Sequence, residues 1–114
     1  MTEHHRGERH ALVVGVPPER REEYLDLHRH MWPQVEQMLR AANVRNYSIF
    51  IAGDTLLAYY EYIGDDHTAD MRRIAADPVT REWWRHTDPC QVRIVEEREP
   101  EALWQLIDEV WHLP

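Results

Sequence analysis

Residues 46–63 read NYSIFIAGDTLLAYYEYI, and this stretch decides the fold. Tyr47, Ile49 and Ile51 alternate with Asn46, Ser48 and Phe50, the period-two pattern of a strand with one buried face. Gly53-Asp54 supplies a turn, and residues 55–63 return as the second strand of a hairpin. On that return strand Leu57, Tyr59, Glu61 and Ile63 share one face; Leu56, Ala58, Tyr60 and Tyr62 share the other. Upstream, residues 10–16 (HALVVGV) are rich in β-branched residues and stop at Pro17-Pro18, so they read as a third strand. Pro18 suits a first helical turn, and Glu19, Glu22 and Glu23 suit the positive end of a helix dipole. The apolar positions Tyr24, Leu27, Met31, Val35, Met38, Leu39 and Ala42 then follow helical spacing. Pro33 interrupts them, which predicts a kink or restart over residues 29–32.

Downstream of the hairpin, Gly64-Asp65-Asp66 opens a helix, capped by Asp or Thr, that runs through Met71, Ile74 and Ala75. Asp77-Pro78 restarts it as a second piece carrying Trp83-Trp84. Residues 100–111 have helical spacing (Leu103, Leu106, Ile107, Val110, Trp111), while residues 107–113 also read as a strand. With a final strand the order is β-α-β-β-α-β. That is an α+β, ferredoxin-like sheet with both helical regions on one face. The uncovered face predicts a homodimer.

The chain has 114 residues, enough for one domain with a modest core. Residues 1–9 are polar and read as a flexible N-terminal arm; residues 10–114 form the single domain. The formal net charge is −8, which argues against nucleic acid or an anionic membrane as partner. All 13 positive residues are arginines, a codon bias rather than a functional signal. Cys90 is the sole cysteine, so no internal disulfide forms, which fits a reducing cytoplasm. It reads as a structural thiol. No apolar run approaches the ~20 residues that span a bilayer, and no signal-peptide core opens the chain.

Tyr24, His28 and Trp32 are spaced at four-residue intervals, which stacks them on one face if the helix is continuous. Together they offer a hydrogen-bonding phenol, an imidazole that titrates near neutrality and a flat apolar plate. A sugar site uses the same three kinds of group; an aromatic stripe packed as plain core is the competing reading. Adjacent Trp83 and Trp84 diverge by about 100° on a helix, so one packs inward and the other borders any pocket. Glu61, set among aromatics, requires an arginine or a ligand hydroxyl if it faces inward. His30 should lie on the surface. His4-His5 and His28-x-His30 lack further ligands at regular spacing, so no metal is expected.

Four ordered motifs carry a family resemblance: Glu22-Glu23-Tyr24-x3-His28-x3-Trp32-Pro33, Asn46-Tyr47-Ser48-Ile49, Trp83-Trp84 and the ending Trp111-His112-Leu113-Pro114. In these the chain resembles the L-rhamnose mutarotase family. The resemblance implies a dimeric α+β barrel and an isomerase, of the racemase and epimerase class acting on carbohydrates, with no cofactor. It implies that His28 is the proton donor, that Tyr24 and Tyr47 bind sugar, that Trp83 and Trp84 line it, and that Trp32 walls the pocket or supports it. Two departures stand out: residues 85–100 are longer and more acidic than the family pattern, and Arg29-His30-Met31 follows the histidine. They leave open whether the monosaccharide is L-rhamnose, L-fucose or another 6-deoxy-hexose. A cofactor-free monooxygenase or cyclase on the same barrel, and a non-catalytic sugar-binding domain, are the alternatives.

Overall fold

A computed structural model describes residues 7–94 and 102–114. Strand β1 (Glu8–Gly15) is followed by a short 3-10 turn (Pro18–Arg20) and helices α1 (Arg21–Arg29) and α2 (Pro33–Ala41). The hairpin is β2 (Val44–Ala52) and β3 (Thr55–Tyr62); α3 (His67–Ala76), α4 (Pro78–Thr87), a 3-10 turn (Asp88–Cys90) and β4 (Gln105–Ile107) complete the order. The sheet runs β2-β3-β1-β4, with every neighbouring pair antiparallel. This is the expected β-α-β-β-α-β plan, with each helical region split in two by a proline.

The splits follow local chemistry. Pro33 occupies the first turn of α2, where its missing N–H costs nothing, and Trp32 before it is extended at φ −76°, ψ 123°. Trp32 is therefore not a third member of the α1 stripe: the helix stops at Arg29 and the four-residue spacing ends with His28. Asp66 and Asp77 cap α3 and α4 as the sequence indicates, accepting from the backbone N–H groups of Ala69 and Thr80. Helix α2 ends with Asn43 in the left-handed region (φ 69°), a conformation asparagine tolerates.

Leu56, Ala58, Tyr60 and Tyr62 are all buried, so this face of β3 carries the helices. One core cluster joins Val14, Val16, Tyr24, Leu56 and Cys90; a second joins Ala42, Val44, Tyr60, Tyr62 and Ile74. The opposite face keeps Phe50 and Leu57 exposed. A bulge between Arg45 and Ser48, with Asn46 at φ 52°, sets two residues of β2 opposite one of β3. It returns Tyr47 to the helix side, in line with Ile49 and Ile51.

Two boundaries differ from expectation. β1 begins at Glu8, so Glu8 and Arg9 belong to the sheet rather than to the arm; residues 1–6 lie outside the described residues. Neither reading of the C-terminal stretch holds over its span: from residue 102 onward the strand is Gln105–Ile107, paired with Ala11–Val13 of β1, while residues 108–113 are neither helix nor strand, and residues 100 and 101 lie outside the described residues. The open edge of β1 supplies hydrogen bonds that a short, isolated helix lacks, and tertiary pairing overrides a helical spacing this brief.

Candidate active site

His28 lies on the last turn of α1, half-buried between that helix and α4. Its Nδ1 sits 3.0 Å from the carbonyl oxygen of Tyr24, one turn earlier. A carbonyl only accepts, so Nδ1 carries the proton and the neutral ring presents a lone pair at Nε2. Burial lowers the imidazole's pKa below its ordinary 6.5; the bond to the Tyr24 carbonyl pulls the other way and loses. At pH 7 the ring is neutral and able to accept a proton.

Aromatic rings enclose it. The Tyr24 ring lies 4.3 Å from the imidazole, and Trp83 meets it edge-on at 5.3 Å. Trp32 then packs edge-on against Trp83 at 5.3 Å and against His86 at 5.6 Å. The restart at Pro33 thus takes Trp32 off the α1 face and brings it back to the same cluster through Trp83. Tyr24 is 2% exposed, and burial together with the neighbouring Tyr47 phenol raises its pKa. Tyr47 has an exposed ring flank, yet desolvation raises its pKa too. Both phenols stay protonated at neutral pH.

The tryptophan pair divides as the 100° offset requires. Trp83 is 4% exposed and touches His28; Trp84 is 38% exposed and, among the described residues, makes no ring contact with that cluster. Glu61 does not join the site. It lies on the other face of the sheet, accepting from Tyr59 Oη at 2.7 Å and from Asn46 Nδ2 at 2.8 Å. The partner foreseen for it exists, but the partners are a tyrosine and an asparagine. His30 is exposed and caps the Asp26 carbonyl. Cys90 is fully buried, its thiol pKa raised first by desolvation, which makes it a packing residue. Two surface clefts, one lined by Pro33, Glu36, Gln37, Arg40 and Ala41 and one by Ala76, Pro78, Arg81, Glu82 and Arg85, contain no member of the His28 cluster.

The structure also gathers residues the motifs pass over. Tyr47 stacks on Tyr60 at 5.7 Å, Tyr60 on His10 at 4.9 Å, and His10 on His67 at 4.5 Å. The Tyr60 hydroxyl and His67 Nε2 are 2.7 Å apart. This ladder backs Tyr47 from behind. Its one sequence signal is that His10 shares the inward face of β1 with Leu12 and Val14, a polar residue where an apolar one is the norm. Among the described residues no group of three or more histidine, cysteine or carboxylate side chains is gathered to hold a metal.

An antiparallel four-stranded sheet in this order, with paired helices on one face, defines the dimeric α+β barrel class. Two solved structures share it. One is an L-rhamnose mutarotase from Formosa agariphila, at TM-score 0.73 and 23% identity, covering 94% of this chain and 99% of that one. The other is the tetracenomycin F2 cyclase of Streptomyces glaucescens, a type-II polyketide cyclase, at TM-score 0.66 and 16% identity, again covering 94% and 99%. Within that class the sequence is more specific: the family profile for L-rhamnose mutarotase matches residues 9–113. A curated L-rhamnose mutarotase of Listeria monocytogenes is 34% identical over 84 residues, 72% of this chain and 78% of the relative. That of Opitutus terrae is 35% identical over 78 residues, 68% and 74%. The chain belongs to the L-rhamnose mutarotase family.

Proposed function

We propose that this chain is an aldose mutarotase that interconverts the α and β anomers of L-rhamnose or a related 6-deoxy-hexose, with His28 as its acid/base group. The observation that carries this reading is the pinned imidazole: Nδ1 is held by the Tyr24 carbonyl at 3.0 Å, which puts the lone pair of the neutral ring on Nε2. Mutarotation opens a cyclic hemiacetal and closes it on the other carbonyl face. Neutral His28 takes the proton of the anomeric hydroxyl as the bond from the anomeric carbon to the ring oxygen breaks. The ring oxygen receives a proton, with the protonated Tyr24 and Tyr47 phenols as the nearby donors. The open aldehyde turns about its C1–C2 bond, and reclosure runs the same transfers backwards, so protons balance over the cycle. Trp83 offers an apolar surface to the C–H side of the ring. A positioned acid/base group typically contributes about 10²–10⁴-fold, which suffices for a reaction that water already performs.

The same reading includes a homodimer formed through the sheet face that leaves Phe50 and Leu57 exposed. A single, buried cysteine agrees with a reducing, cytoplasmic setting.

The test is NMR saturation transfer between the α and β anomeric protons of L-rhamnose, then of L-fucose, with and without protein. Faster exchange with the parent, lost by about 10²–10⁴-fold in a folded His28→Ala, is the expected result. Exchange as fast in His28→Ala as in the parent overturns the role of His28. Sugar binding without faster exchange in the parent would make this a binding domain instead.

A further inference from the structure

Gln91 follows the 3-10 turn Asp88–Cys90, inside the segment where the sequence leaves the family pattern. Its backbone is held on both sides. Its own N–H donates to the Asp88 carbonyl at 3.0 Å, and its neighbour Val92 exchanges two bonds with Gly15 of β1, at 2.7 and 2.9 Å. Gly15 is required there, because a Cβ would lie 2.6 Å from a methyl of Ile94 and 3.0 Å from one of Val92. The close approach lays residues 91–94 against β1 and turns the Gln91 side chain inward, where it is 7% exposed.

One end of the Gln91 amide meets the Tyr24 phenol in a hydrogen bond. The other end, Oε1, is buried and has no hydrogen-bond partner among the described residues. Folded proteins rarely leave a buried carbonyl oxygen unused, since it loses its water without gaining a donor. Tyr24 connects this oxygen to the imidazole, its ring 4.3 Å from that of His28. The amide therefore sits beside the same cluster.

We propose that Gln91 is a further substrate-binding residue, whose Oε1 accepts a hydrogen bond from one hydroxyl of the sugar and so helps decide which sugar is used. The assignment rests on the sugar-site reading above. A carbonyl oxygen only accepts, so it favours a hydroxyl at one ring position and disfavours a sugar that lacks it, because the oxygen is then buried unpaired. It also gives Gln91, which lies where the sequence departs from the family pattern, a direct part in choosing the substrate.

The experiment compares the parent with Gln91→Leu by anomer exchange on L-rhamnose and on its monodeoxy analogues, alongside thermal melting. Gln91→Leu should melt close to the parent, since it sheds an unpaired buried oxygen and loses the contact with the Tyr24 phenol, two effects of opposite sign. Its kcat/KM on L-rhamnose should fall about ten- to hundredfold, mostly through KM. On one deoxy analogue, the sugar lacking the hydroxyl in question, parent and variant should be equal. Parent-like kcat/KM on every sugar, or the same loss on every analogue, would overturn the assignment while leaving the mutarotase reading intact. If Gln91→Leu does not fold, Gln91→Met, closer in length and flexibility, carries the same comparison. Where the parent accelerates no exchange but quenches tryptophan fluorescence with L-rhamnose, a Kd about ten- to hundredfold weaker in Gln91→Leu supports the assignment and an equal Kd overturns it. A parent that does neither removes the sugar site and this assignment together.

Discussion

His28 Nδ1 is committed to the Tyr24 carbonyl, so its chemistry is confined to Nε2 and depends on that nitrogen being unprotonated. Burial sets the imidazole's pKa below 6.5, so kcat/KM for anomer exchange should be level across pH 7–8 and fall on acidification, with its inflection below pH 6.5. The same shift affects stability. The unfolded chain binds the His28 proton first, so the contribution is present above pH 6.5 and is lost as pH falls from there through the folded value. His67 shifts the same way, chiefly by desolvation and then through the neighbouring imidazole of His10, so the two add. Urea midpoints measured from pH 8 to pH 5 should decline with the onset near pH 6.5, and His28→Gln should flatten part of the slope. At Tyr24, replacement by Phe keeps the ring that packs in the core and deletes only the hydroxyl. We expect a small change in stability and a loss of about tenfold or more in kcat/KM. An unchanged rate would show that Tyr24 serves only as core.

At the scale of elements, the site depends on where helices stop. α1 ends at Arg29 and α2 begins at Pro33, and the four-residue spacing that joins Tyr24 to His28 does not reach Trp32. α4 is the element that brings Trp83 to the imidazole, and Asp77 starts it by accepting from the Thr80 N–H at 2.9 Å and the Thr80 hydroxyl at 2.8 Å. Asp77→Ala should cost about 1 kcal/mol of stability in denaturant titration, with exchange at 25 °C little changed. On the sheet, Asn46 holds the bulge that returns Tyr47 to the helix side at φ 52°. Asn46→Gly should preserve activity, because glycine accepts that conformation, whereas Asn46→Val should lower both melting temperature and kcat/KM. Equal behaviour of the two variants would remove the bulge from the account. The capped and proline-marked starts were legible from short-range rules, because a cap acts within a single turn. The bulge was not, because it appears only when β2 is placed in register against β3.

On the scale of the whole molecule, the sheet has one face under helices and one without. Phe50 is 59% exposed on the free face, and Leu57 37%. Arg9 and Glu109 form a bidentate ion pair at 2.9 and 3.0 Å, joining β1 to the segment after β4. Beyond it Val110, Trp111 and Leu113 remain largely exposed. If two such faces pack together, Phe50→Glu should convert a dimer to a monomer in light scattering coupled to size exclusion. A monomeric parent at micromolar concentration would dismiss the dimer outright. The fold order was readable in the hairpin at residues 46–63 and the helical spacing on either side of it. Glu61 shows where reading stopped: its strand and its need for a partner were visible, but not that its face of the sheet is the one without helices.

Local sequence sufficed for the strand and helix order as far as Trp83-Trp84, the helix starts at Asp66 and Asp77, and the pairing of Tyr24 with His28. Each of these depends on neighbours within a few residues, where steric rules and periodicity act directly. Only the tertiary structure decided that Trp83 rather than Trp84 meets His28, that Glu61 lies outside the site, that β4 is the three residues Gln105–Ile107, and that Gln91 lies beside Tyr24 with a buried free oxygen. Those outcomes rest on contacts between residues far apart in the chain, whose strength comes from burial and pairing that no local pattern encodes.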